Sequence, residues 1–140
     1  MAGRSGGKEA GIRNPFGKLI GLRIDRVEDG RCLAHLEVNE SLHNPNGVLH
    51  GGVLFSLADT CMGAALFTLL ETHETCATIE IKINFLRPAR EGKIECDTEV
   101  VRKGRNIAVL ESRLSHEGQP VALALGTYSV MPKPGPSSNA

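Results

Sequence analysis

Asn44-Pro45-Asn46-Gly47-Val48-Leu49-His50-Gly51-Gly52-Val53-Leu54-Phe55-Ser56-Leu57-Ala58-Asp59 is the stretch on which the fold turns. A polar loop shaped by Pro45 and Gly47 ends at His50-Gly51-Gly52 and passes directly into an apolar helix, predicted from about Gly52 to Glu71. From Gly51 to Leu70 that helix carries one charged side chain, Asp59. A charge in the middle of a core helix is costly unless something requires it. Glycines at a helix mouth expose backbone N–H groups that bind developing negative charge. A carboxylate and an oxyanion-binding helix end in one short segment point to chemistry.

Outward from this helix, the chain reads as strands. Asn14 and Pro15 suit the cap and first position of a short helix over 14–20. Strands are expected at about 22–28 and 31–38, joined by the hairpin signal Asp29-Gly30. After the long helix, period-two alternation sets in. Over 77–85, Ala77, Ile79, Ile81, Ile83 and Phe85 are expected on one face and Thr78, Glu80, Lys82 and Asn84 on the other. Further strands are predicted at about 92–102, 106–116 and 120–131, with turns at 87–92, 103–106 and 117–120, which reads as a four-strand antiparallel meander. A helix apolar on nearly every side must be wrapped, so the expected fold is α+β, a curved antiparallel sheet of about six strands around one long helix. The domain is expected over residues 12–132, with floppy, Gly- or Pro-rich tails at 1–11 and 133–140.

The 140 residues suffice for one domain with a proper core and are too few for two ordinary ones. With 16 basic and 16 acidic residues, no global field draws the protein to nucleic acid or to a membrane, so an anionic ligand needs a local basic patch. The start of the chain lacks the apolar run of a signal peptide, and the 53–70 stretch is interrupted by Ser56, Asp59 and Thr60, which fits a core helix better than a membrane span. Cys32, Cys61, Cys76 and Cys96 show no Cys-x-x-Cys spacing, so reduced core thiols in a cytoplasmic protein are expected. The five His residues are scattered without zinc-finger spacing to a Cys, so no metal and no cofactor is expected.

Three segments resemble one family. Asn44-x-x-Gly47-x-x-His50-Gly51-Gly52 with Asp59 seven residues on, Ile81-Lys82-Ile83-Asn84-Phe85-Leu86-Arg87-Pro88-Ala89, and Val101-Arg102-Lys103-Gly104-Arg105 are similar to hotdog-fold acyl-CoA thioesterases of the phenylacetic-acid-degradation type. The resemblance covers roughly residues 14–132. It implies the hotdog fold, a homo-oligomer (dimer or tetramer) with two sheets joined edge to edge, and active sites at subunit boundaries. In such a site Asp59 of one subunit faces Asn44, His50 and Gly51 of its neighbour.

Thioester hydrolysis needs an activated water or nucleophile and a stabilised oxyanion. Asp59 is the candidate for the first task, either as general base or as a nucleophile that forms an anhydride. A purely helix-dipole role for Asp59 is disfavoured, because that effect fades beyond the first turn and Asp59 stands about two turns in. Gly51 is the candidate oxyanion donor, although glycines there also serve as simple helix entry. Asn44 either holds the attacking water or braces the loop through an Asx turn. His50 either donates to the carbonyl or fixes the loop. Ser56 sits inside the helix, which removes it as the nucleophile of a Ser-His-Asp triad. Thr78 lies where some relatives place a Ser or Thr hydroxyl beside the catalytic carboxylate, so the resemblance implies that it orients the water for Asp59, while as a strand residue it also reads as unremarkable. CoA phosphates call for basic residues. Arg87 and Arg90 in one turn, and Arg102, Lys103 and Arg105 in another, are candidates along with Gly52; as hairpin-end residues they also read as simply solvated. Phe55, Met62 and Phe85 are candidate acyl-lining or core residues. Two rivals stand beside the thioesterase: a hotdog hydratase or dehydratase, whose His-acid loop signature is missing here, and a non-catalytic acyl-CoA sensor, for which a half-buried carboxylate brings no gain.

Overall fold

Helix α2 (Gly51–Phe67) lies against a single six-stranded antiparallel sheet, in a computed structural model that describes residues 14–135. The tail expected over 1–11, and residues 136–140 of the one expected at the C-terminus, lie outside the described residues. The chain enters through helix α1 (Pro15–Ile20), with Pro15 at its first position. Asn14 caps it, its Oδ1 accepting the Gly17 N–H at 2.9 Å. Gly21 ends the helix in the left-handed region (φ 78°), a conformation that favours glycine.

Strands β1 (Arg23–Glu28) and β2 (Arg31–Val38) then form the expected hairpin. Asp29 and Gly30 both have positive φ (48° and 77°), the two-residue turn whose twist matches the flanking strands. One 3-10 turn, Glu40–Leu42, leads into the loop before α2. Its seven buried side chains (Leu54, Leu57, Ala58, Cys61, Met62, Ala65 and Leu66) meet Leu36, Ile94, Leu110 and Leu114 from the strands. Cys32, Cys61 and Cys96 are free thiols in this core, where hydrogen bonding from Cys32 and Cys96, with burial, holds Cys61 well above the usual thiol range.

The helix ends four residues earlier than its composition predicts. Thr68, Leu69 and Leu70 donate to Ala65, Leu66 and Phe67, the tighter i→i−3 pattern of a closing turn. The Thr68 hydroxyl donates back to the Ala65 carbonyl and accepts the Gly30 N–H, each at 2.7 Å, tying the helix end to the first hairpin.

Strands β3 (Glu74–Phe85), β4 (Gly92–Lys103), β5 (Ile107–His116) and β6 (Gln119–Pro132) complete the sheet, in the order β1-β2-β4-β5-β6-β3. The expected four-strand meander is therefore corrected to three, β4-β5-β6, with β3 at the edge beyond β6. The segment around Pro88 is a crossover over the end of the sheet. Leu86 and Arg87 donate to the Val121 carbonyl, Leu49 donates to the Ala89 carbonyl at 2.7 Å, and Ala89 is buried.

The faces of β3 also differ from the period-two expectation. A bulge between Thr78 and Glu80 interrupts its pairing with β6. Cys76, Ile81 and Ile83 pack against the core, whereas Ile79 is 54% exposed. The extra residue returns the later isoleucines to the core face and leaves Thr78, rather than Ala77 and Ile79, turned toward α2.

Candidate active site

Asp59 sits at mid-helix in α2, half-buried, where the helix passes the paired strands β3 and β6. Thr78 and Tyr128 are direct cross-strand partners on those strands. Both bring hydroxyls to the same carboxylate oxygen. Thr78 Oγ1 donates to Asp59 Oδ1 at 2.7 Å, and the Tyr128 hydroxyl contacts that oxygen and also lies 2.8 Å from the Asp59 backbone carbonyl oxygen. Among the described residues, no hydrogen bond reaches Asp59 Oδ2. Burial, and after it the bond to Asp59, holds the Tyr128 hydroxyl well above the ordinary tyrosine range. Cys76, one inward position from Thr78 on β3, has its thiol pushed up by burial and then by the Asp59 charge.

The N-terminus of α2 forms the second half. His50 is the helix cap, its Nδ1 accepting the Gly52 N–H at 2.8 Å. That bond requires an unprotonated Nδ1 and occupies Gly52, which leaves the Gly51 N–H without an acceptor among the described residues. Phe85 closes over this end, its ring 3.1 Å from where a Cβ on Gly51 would stand. Asn44 braces the loop: its Oδ1 accepts from the Asn46 N–H at 2.8 Å and the Val48 N–H at 3.4 Å. Of the apolar candidates, Met62 is fully buried core, while Phe55 and Phe85 are partly exposed.

Within one chain these halves do not converge. Asp59 follows Gly51 by eight positions on one helix, about 12 Å of axial rise. A carbonyl being attacked has its nucleophile and its oxyanion donor each roughly 3 Å away.

The basic candidates are likewise divided. Arg87 and Arg90 belong to the crossover at the α2 N-terminus, where His43 Nε2 meets the Arg90 carbonyl oxygen at 2.9 Å. Arg102, Lys103 and Arg105 lie at the far end of β3, a 12-residue strand spanning roughly 35 Å. Lys103 pairs with Glu74 at 3.3 Å, both largely shielded, so its ammonium is already engaged; Arg102 and Arg105 are exposed.

Sequence reasoning missed Tyr128. It is the only tyrosine of the chain, and it stands in the inward row Ala122, Ala124, Gly126, Tyr128, Val130 of β6. An aromatic with a polar tip on an otherwise small and apolar row needs a buried partner, and that was the available signal.

Comparisons with known proteins bear on the fold and the family. A family model described as the thioesterase superfamily matches residues 46–123. A crystal structure of a mutant of thioesterase PA1618 from Pseudomonas aeruginosa superposes with a TM-score of 0.81 at 31% identity, covering 85% of this chain and 87% of that one. The conserved protein PA5202 from the same organism gives a TM-score of 0.85 at 31% identity, over 89% and 99% of the two chains. The medium/long-chain acyl-CoA thioesterase YigI of Salmonella typhimurium is 30% identical over 83% of this chain and 85% of its own length.

Proposed function

The chain belongs to the thioesterase superfamily, and on that premise we propose that it hydrolyses acyl-CoA thioesters, with aryl or short- to medium-chain acyl groups, to the free acid and CoA. The observation that carries this reading is the Asp59 carboxylate, fastened through Oδ1 and open at Oδ2. Oδ2 takes a proton from water as the water adds to the carbonyl carbon. The carbonyl oxygen, gaining charge, is held by the Gly51 N–H at the positive end of α2. Collapse of the tetrahedral adduct breaks the C–S bond, and the proton held at Asp59 goes to the departing CoA sulfur.

In this reading the two tasks fall to two copies of the chain, which is supported by the separation of about 12 Å between Gly51 and Asp59 along α2. Support for that assembly comes from β3, a 12-residue strand whose outer edge has no partner strand among the described residues. An edge this long, flanked by the exposed side chains of Ile79, Phe85 and Leu86, favours pairing with another β3 over exposure to water. In a dimer so joined, Arg87 and Arg90 of one copy and Arg102 and Arg105 of the other are the candidates to meet CoA phosphates. No helix among the described residues is long and apolar enough to cross a membrane.

The reading is tested by thiol release from a panel of aryl and straight-chain acyl-CoA esters. Turnover of at least one ester is expected. A protein that binds CoA esters and returns them intact contradicts the hydrolase reading and supports a sensor.

A further inference from the structure

We propose that Tyr128 is a positioning residue for Asp59, which with Thr78 fixes Oδ1 and so makes Oδ2 the oxygen presented to the substrate. The inference deepens the proposed hydrolysis and rests on it. A lone aspartate on a helix has two rotatable side-chain bonds, and a carboxylate that turns does not keep one oxygen on the attacking water. Here two donors from different strands converge on a single oxygen, and both strands are locked together by the Thr78–Tyr128 pairing. Tyr128 is 2% exposed, so its side chain is shielded from bulk solvent.

The second contact of that hydroxyl extends the role. A phenol has one hydrogen to donate and an oxygen that accepts. With Asp59 charged, the hydrogen lies toward Oδ1. When Oδ2 holds the proton taken from water, Oδ1 becomes the carbonyl oxygen of the acid and still accepts from both hydroxyls, and the phenol hydrogen also has the Asp59 backbone carbonyl oxygen 2.8 Å away to share with that weaker acceptor. Both protonation states of the base are thus satisfied without moving a heavy atom. That suits a group which gains and loses a proton in every turnover.

The test combines kinetics with a spectroscopic readout. The chain has one tyrosine and no tryptophan, so its intrinsic emission reports Tyr128 alone. A phenol bonded to a carboxylate is quenched; Asp59→Asn in the folded protein is expected to brighten the emission, and an unchanged emission overturns the contact. Tyr128→Phe removes the hydroxyl and keeps the ring. Its kcat is expected to fall about 10- to 100-fold with KM held within about 3-fold, the signature of a misplaced reacting group. A kcat within about twofold of wild type overturns the positioning role. If Tyr128→Phe fails to fold, the emission comparison still decides the contact. Wild type that is inert on every ester overturns the hydrolase reading and this role with it, whereas an active wild type with an indifferent Tyr128→Phe overturns the role alone.

Discussion

Replacing Gly51 by proline removes one hydrogen-bond donor from the α2 N-terminus and little else. Gly51 is the first helical residue, its N–H has no acceptor among the described residues, and proline is favoured at that position. The preceding residue must be extended, and His50 already is (φ −63°, ψ 133°). Stability is therefore expected to change by less than about 1 kcal/mol, with reduced freedom of the unfolded chain offsetting local strain. The new Cβ does meet the Phe85 ring at 3.1 Å, but that side chain is 55% exposed and has room to move. Gly51→Ala adds the same Cβ and keeps the N–H, so the ratio between the two variants isolates the donor. Loss of one oxyanion donor costs about 3–4 kcal/mol of transition-state stabilisation, a kcat lower by roughly 10²- to 10³-fold in proline relative to alanine. Steady-state thiol release and a urea melt on both variants supply the numbers. A proline variant that keeps more than about a tenth of the alanine variant's kcat refutes the oxyanion role.

Three further outcomes are expected. Tyr128 stays protonated at pH 11, where an ordinary tyrosine of pKa near 10 is roughly 90% ionised. Its pKa is raised in the fold, so the stability it contributes is complete below about pH 10 and is lost as pH climbs through the raised value; a tyrosinate absorbance titration that shows ordinary ionisation of the folded protein contradicts this. His50→Ala is expected to destabilise by about 1 kcal/mol through loss of the cap on Gly52, with His50→Asn recovering most of it, as read from urea midpoints. Gly126→Ala places a Cβ 2.6 Å from Met62 Sδ and 3.3 Å from Ile81 Cγ1 beneath the helix; overpacking against fully buried Met62 outweighs the gain of an alanine in a strand, for a net loss of about 1–2 kcal/mol in the same measurement.

The long helix, the hairpin at Asp29-Gly30 and the α+β class were legible because each rests on a local signal: an apolar run, a turn dipeptide, a capping residue. The position of β3 was not. Pro88 and its neighbours look the same in a hairpin turn as in a crossover, and only the bonds from Leu86 and Arg87 to Val121 and from Leu49 to Ala89 distinguish them. The bulge at Ile79 was equally hidden, because the 77–85 segment alternates without a break in sequence and the slip shows only against β6. Its consequence for the site is direct. Thr78 turns inward to Asp59 because of a register change that no period-two count contains. Asp59 and Gly51 were conspicuous by type and place, while Tyr128 became a candidate only when β6 brought it beside Thr78.

In the proposed mechanism, Asp59 of one chain works with Gly51 of another. Asp59→Asn and Gly51→Pro, each expected to be nearly inactive alone, are unfolded together in equal amounts, refolded and assayed for thiol release. In a two-fold dimer with composite sites, half the refolded molecules are mixed, and each mixed molecule has one site with both defects and one with neither. Recovery of about a quarter of wild-type activity is predicted. A mixture no more active than its two parents contradicts the claim.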